Sequence, residues 1–363
     1  MEQSRHLERG RLNRPTATTV SAASLGILFL LTGSAGAGHA GAASSSAGER
    51  VATGALRERI QERREERRAV REAPAPADLE RRKMRHEGLE RTYYLSLPEG
   101  GADRPYPLVV VLHGGRSNAS SIARTTEFHR LGQRQGFAVV YPEVGSGQIV
   151  WNDGRDASNT GVDDVGFVLR LVDDLKRSTP IDTDRIYATG ASNGGMFTHR
   201  LACEPGTPFA AFAPVVANLP TDLEPYCNPG RPVPIMMIMG TEDALMPYEG
   251  GVVARMIPLL GPGQGTVLSA KATVDFWRRN NQCRDAREES MLSDSSPSDG
   301  TRIREARWRD CASDAEVIKL NVIGGGHTWP GTSEGPTLER SGRVSQDIDA
   351  THVIHRFFQR HAR

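Results

Sequence analysis

Apolar and polar positions along most of this chain fall into two alternating kinds of block. The stretch 92–97 is strand-like, and short apolar runs follow at 107–113, 137–141, 186–188, 209–216, 234–239 and 317–323. Apolar runs of this length, with no polar face, predict strands buried on both sides, as in a mainly parallel sheet. Between them, apolar residues recur at helical spacing over 122–135, 163–177, 271–281 and 347–361. The second of these, with Val165, Phe167, Val168, Leu169, Leu171, Val172 and Leu175, predicts an amphipathic helix. The stretch 304–309 is a further candidate strand, and the polar segments 145–161 and 285–300 read as surface loops. Strands alternating with helices predict an α/β domain whose sheet is covered on both faces. In such sheets, sites form beyond the carboxyl ends of the strands.

The first eighty or so residues lack this pattern. Arg5, Arg9, Arg11 and Arg14 precede a short apolar run at 20–31, and small residues follow at 35–37 and 40–42. The run is shorter than the ~18 apolar residues needed to span a bilayer. This order reads as a signal peptide, 1–42, removed on export. An uncleaved anchor is the alternative. The expected product is extracellular and keeps no stable membrane anchor. Residues 43–87 then form a Ser/Ala/Gly linker and an Arg/Glu tract at 56–72, closed by an Ala/Pro stretch. The tract has too few apolar residues for a core face. It reads as a solvated helix or spacer, with a partner-binding arm as the alternative. The folded domain is expected over 88–363.

Overall charge changes little in this picture. Lys and Arg total 45 against 44 Asp and Glu, a balance that argues against a nucleic-acid partner. The four cysteines, Cys203, Cys227, Cys283 and Cys311, all follow the export segment, and their even number permits two disulfides. Nearest-neighbour pairing closes the shortest loops, and the other two pairings stay open. No cysteine or histidine spacing suits a metal, and no cofactor fingerprint appears.

The chemistry concentrates where the run at 186–188 meets G-A-S-N-G at 190–194. A strand, a glycine-flanked serine and a helical run predict a sharp bend that exposes Ser192 at a helix N-terminus. Activating that hydroxyl requires a base, and the base requires an orienting carboxylate. The strand at 234–239 leads into Gly240, Thr241, Glu242 and Asp243, and the strand at 317–323 leads into three glycines and His327. Ser192, Asp243 and His327 follow one another in the chain order of α/β-hydrolases, with Glu242 the rival carboxylate. Asn193 and the loop His113-Gly114-Gly115 are expected to supply the two amides of an oxyanion site. Gly115 is preferred to Gly114, and His113 is assigned a packing role. Trp151 and Trp329 are candidate substrate contacts, with packing under a loop as the alternative.

L-H-G-G at 112–115, G-V-D-D-V-G-F-V at 161–168, R-I-Y-A-T-G-A-S-N-G-G-M at 185–196, G-T-E-D at 240–243 and G-H-T-W-P-G at 326–331 occur in that order. On these segments, 91–361 resembles the secreted polyhydroxybutyrate depolymerase and feruloyl esterase family. The resemblance implies an α/β-hydrolase fold, with a mostly parallel central sheet in a single catalytic domain. It also implies ester hydrolysis without a cofactor, the Ser192–Asp243–His327 triad, and the disulfides Cys203–Cys227 and Cys283–Cys311. It leaves the ester open among hydroxyalkanoates, hydroxycinnamoyl esters and short acyl esters. No Ser/Thr-rich tail follows the last predicted helix, so soluble oligomers or small esters are expected rather than solid polymer. Two other readings compete. One is a prolyl-oligopeptidase-like peptidase, which uses a similar G-x-S-N-G-G bend. The other is an inactive hydrolase fold that binds a surface.

Overall fold

A computed structural model of the chain describes residues 61, 74–100, 105–254, 264–333 and 341–363. The expected signal peptide and nearly all of the Arg/Glu tract lie outside the described residues. Among those described, no helix is long and apolar enough to cross a membrane.

The apolar runs form the middle of a ten-stranded sheet. In chain order its strands are β1 (Glu80–His86), β2 (Leu89–Ser96), β3 (Tyr106–Leu112), β4 (Ala138–Pro142), β5 (Ile181–Ala191), β6 (Ala211–Val215), β7 (Ile235–Gly240), β10 (Glu288–Met291), β11 (Arg302–Trp308) and β12 (Val317–Ile323). A separate short pair joins β8 (Gly251–Val252) to β9 (Thr266–Val267). Across the large sheet the order is β1-β2-β4-β3-β5-β6-β7-β12-β11-β10. The six strands from β4 to β12 in that order are parallel, and the outer strands at each side pair antiparallel.

The helices are α1 (Ala119–Thr126), α2 (Phe128–Gln135), α3 (Asp164–Ser178), α4 (Asn193–Cys203), α5 (Ala270–Asn280) and α6 (Ala350–Phe358). Side-chain alternation in the strands divides the core between them. Leu108, Val110 and Leu112 join the layer formed with α3, α4 and α5, whereas Val109 and Val111 join the layer formed with α1, α2 and α6. Met237 and Met236 divide in the same way on β7. Burial on both faces accounts for the absence of polar positions in the central runs. The result is an α/β-hydrolase fold.

The structure departs from the sequence expectations in three places. The folded region starts before residue 88: Leu79 is buried, and β1 pairs along its full length with β2. The β1 sequence E-R-R-K-M-R-H hides this, because an edge strand exposed to solvent carries charge rather than apolar residues. The expected helix over 122–135 is two helices, broken at Glu127, whose φ is 48°. The break sends Phe128 into the core and lets the His129 N–H donate to the Tyr141 hydroxyl at 3.0 Å. Helical spacing on both sides of one residue cannot reveal the break. The segment 285–300, expected as loop, contains the edge strand β10, which is also exposed.

The four cysteines form Cys203–Cys227 and Cys283–Cys311. The first ties the end of α4 to the segment after β6. The second ties the segment after α5 to the connection between β11 and β12. Each closes a loop of moderate length, and in the chain-entropy account such closures stabilise mainly by restricting the unfolded chain.

Candidate active site

β5 ends at Ala191 and α4 begins at Asn193, so Ser192 alone makes the turn between them. Its backbone sits at φ 58°, ψ −121°, a sparsely populated region for a residue with a side chain. A methyl on Gly194 would lie 2.4 Å from the carbonyl oxygens of Leu112 and His113, so this glycine lets α4 start hard against the end of β3. The elbow presents the Ser192 hydroxyl at the amino end of α4, where free N–H groups favour negative charge.

The loops after β7 and β12 carry the other two candidates. They are knitted together by Thr241 N–H to Val322 O at 3.0 Å, Glu242 N–H to Gly325 O at 2.9 Å and Gly324 N–H to Thr241 Oγ1 at 2.9 Å. The His327 N–H donates to Ser341 O, which holds the histidine loop on its other side. His327 Nδ1 lies 2.7 Å from Asp243 Oδ2. The second Asp243 oxygen accepts the N–H groups of Leu245 and Met246, each at 2.8 Å. A carboxylate can only accept, so Nδ1 carries the hydrogen and Nε2 is left as a base. Glu242, the rival carboxylate, instead pairs with Arg343 at 2.9 Å. Among the described residues no hydrogen bond joins Ser192 to His327. Such contacts are often long without substrate and tighten when it binds.

The loop after β3 lies along the elbow. A methyl on Gly114 would stand 3.5 Å from Ser192 Cβ, and one on Gly115 would stand 3.4 Å from Asn193 Cβ. The N–H groups of Gly115 and Asn193 have no acceptor among the described residues. His113 is fully buried beneath this loop, with Nδ1 2.8 Å from Gly114 O and its ring 5.1 Å from that of Trp151.

Both candidate tryptophans are buried. Trp151 stacks on Phe197 at 5.1 Å and donates its indole N–H to His113 O at 3.0 Å. Trp329 packs edge-on to Phe128 and donates its indole N–H to Thr351 Oγ1 at 3.1 Å. Each ring has a packing role under a loop, which leaves Trp151 and Trp329 too buried for the substrate contacts expected of them.

The loop between β4 and α3 is anchored more firmly than its polar composition foretells. Asp164, fully buried, accepts from Arg91 at 2.8 Å and from the Asn152 N–H at 2.9 Å, while the Arg91 guanidinium lies 3.8 Å over Phe167. Asp153 and Arg155 form a second buried pair in the same loop. Neither pair is legible in sequence, since nothing local separates a buried aspartate from a solvated one. For metal ions, His86, Glu87 and Asp163 bring ligand atoms within 4.8 Å of one another. Asp163 already accepts from Gly166 N–H and contacts His86 Nε2.

His199, on α4 behind the elbow, is also fully buried. Its Nδ1 accepts the Trp277 indole N–H at 3.1 Å, which makes Nε2 the donor to Ala217 O at 3.4 Å. Burial pushes its pKa down to about 3, against a smaller opposing effect of the Ala217 bond. A depressed histidine pKa means that, as pH falls, the unfolded chain takes up a proton that the folded one refuses. This contribution to stability is therefore complete above the ordinary histidine value and is lost as pH falls from about 6.5 towards about 3. Thermal melts across that range should show the melting temperature falling with pH, with a shallower fall in His199→Gln. Parallel curves for the two proteins would contradict this assignment.

Comparisons with known proteins add the following. The profile of the family described as Esterase PHB depolymerase matches residues 91–217. The protein NocK of Nocardia uniformis subsp. tsuyamanensis, an esterase by name, is 32% identical over 256 residues, covering 67% of this chain and 72% of its own. The bifunctional acetylxylan esterase/xylanase XynS20E of Neocallimastix patriciarum is 32% identical over 165 residues, 46% of this chain, and the match spans only 23% of that larger protein. Among solved structures, the acetyl xylan esterase from Aspergillus awamori aligns at 16% identity with a TM-score of 0.48, covering 69% of this chain and 94% of that one.

Proposed function

The chain belongs to the esterase PHB depolymerase family, and from that premise we propose that it is a secreted serine esterase working through an acyl-enzyme. The observation that carries the reading is the 2.7 Å contact between His327 Nδ1 and Asp243 Oδ2, on loops from the same sheet edge as the strained Ser192. In this reading His327 Nε2 takes the Ser192 proton as Oγ attacks the ester carbonyl. The C–O bond to the alcohol breaks, and the same nitrogen returns the proton to the departing oxygen. Water then repeats the sequence on the acyl-serine and releases the acid. Asp243 holds the tautomer and stabilises the imidazolium. The amides of Asn193 and Gly115 receive the oxyanion, where one well-placed donor contributes about a hundredfold or more. The route needs no metal or organic cofactor.

Two disulfides and the charged-then-apolar N-terminus support export. The proposed substrates are carboxylic esters: hydroxyalkanoate oligomers, hydroxycinnamoyl esters or short acyl esters. The decisive measurement sets p-nitrophenyl butyrate against a proline anilide on purified protein, followed by methyl ferulate, acetylated xylan and hydroxybutyrate oligomers. Ester hydrolysis that is lost after treatment with a phosphonate ester is expected. Faster cleavage of the anilide would replace the esterase reading with the peptidase one, and inertness towards every substrate would favour a binding protein.

A further inference from the structure

The elbow is gripped from the side by one side chain. Asn193 Oδ1 accepts the Trp151 N–H at 2.7 Å, and Nδ2 donates to Trp151 O at 3.1 Å and to Asp153 Oδ2 at 2.6 Å. Asp153 is fully buried. Its oxygens receive Arg155 Nε at 3.0 and 3.1 Å, a second Arg155 nitrogen at 2.7 Å and the Ser158 hydroxyl at 2.6 Å. Arg155, itself only 6% exposed, donates its remaining amino group to Gln264 O. The proton relay proposed above uses none of these groups. A buried ion pair is a weak source of stability, because desolvation offsets most of its attraction. Its position is therefore more informative than its energy: it ends on the residue whose backbone amide faces the developing oxyanion.

We propose that Asp153 and Arg155 are a positioning pair for the hydrolytic step. Asp153 locks Asn193 so that its amide stays aimed at the oxyanion. Arg155 fixes Asp153 and cancels a carboxylate charge that would otherwise oppose the oxyanion from across the Asn193 side chain. This inference rests on the serine-esterase reading, and it makes a prediction about sign. Removing Arg155 alone leaves a bare negative charge beside the site of negative charge development, so it should harm the transition state more than removing both charges.

The test compares wild type, Arg155→Gln, Asp153→Asn, the double variant Asp153→Asn/Arg155→Gln, and Arg155→Lys. Active sites are counted by titration with a phosphonate ester, so that misfolded molecules drop out. Arg155→Gln is expected to lower kcat per titrated site about 100-fold with KM changed less than about threefold, and Asp153→Asn about 10-fold. The double variant should recover activity relative to Arg155→Gln, an interaction that simple loss of structure does not produce. Affinity for an alkylboronic acid, whose serine adduct is tetrahedral and anionic, should fall in parallel with kcat. Arg155→Lys keeps the charge but not the two-pronged grip on Asp153, so its kcat per site should lie between those of wild type and Arg155→Gln, and it carries the charge test if Arg155→Gln does not fold. If kcat per site and boronate affinity were unchanged in Arg155→Gln or Asp153→Asn while melting temperatures fell, the pair would be structural only. A double variant no better than Arg155→Gln would overturn the charge argument. A wild type that neither hydrolyses esters nor titrates with phosphonate would overturn the parent reading as well, an outcome distinct from both.

Discussion

Replacing Ser192 with alanine is expected to lower kcat for p-nitrophenyl butyrate by about four orders of magnitude or more, with the melting temperature held within a few degrees. The two halves of this expectation have separate causes. In the proposed mechanism the hydroxyl oxygen forms the bond to the acyl group, and no neighbouring group can replace it. In the fold it does little, because Ser192 caps α4 without a side-chain hydrogen bond. The same geometry makes glycine a sharper probe. At φ 58° and ψ −121° any side chain is strained, so Ser192→Gly should be more stable than Ser192→Ala by roughly 1 kcal/mol while being equally inactive. Strain retained at a position where glycine would fit more easily is what a residue kept for chemistry predicts. Ester hydrolysis within about a hundredfold of wild type in Ser192→Ala would remove this serine from the nucleophile role.

A large effect on stability is expected from Gly194→Ala. The added methyl would meet the carbonyl oxygens of Leu112 and His113 at 2.4 Å, and both belong to backbone that is fixed in or just beyond β3. Flexible side chains yield to such a clash, but these carbonyls do not. Relief requires α4 to lift from the sheet, which disturbs the elbow and the amides of the following turn together. A loss of about 3 kcal/mol or more is expected, read as a lower denaturant midpoint and little soluble enzyme. Gly161→Ala is the matched control. Gly161, unlike the helical Gly194, has a conformation that disfavours side chains, with φ 73°, but a methyl there meets nothing within 4 Å. That variant should lose only about 1 kcal/mol, the cost of the left-handed backbone alone. Equal stability of the two variants would mean that the close approach of α4 to β3 is not what requires glycine at 194.

What could be read without coordinates was whatever a local pattern encodes. A strand buried on both faces must be apolar at every position, so β3, β4 and β7 announced themselves. The order of Ser192, Asp243 and His327, each just past a strand, marked one sheet edge as the place to look. Between the two adjacent carboxylates, the structure sets Asp243 against His327 and Glu242 against Arg343. The edge strand β1 was missed for the converse reason: its side chains face water, and nothing in its sequence distinguishes a charged strand from a charged linker. The break at Glu127 was missed because the helical pattern continues on both sides of it.

The tertiary structure alone decided which polar groups are buried and with whom. Trp151, Asn152 and Asp153 stand together in a stretch that reads as solvent-exposed. Trp151 and Asp153 prove to be fully buried, tied to Asn193 some forty residues further along. An aspartate in water and an aspartate locked against Arg155 have the same letter and similar neighbours. What separates them is desolvation and partners brought from distant parts of the chain, and those exist only once the sheet and its loops have closed around them.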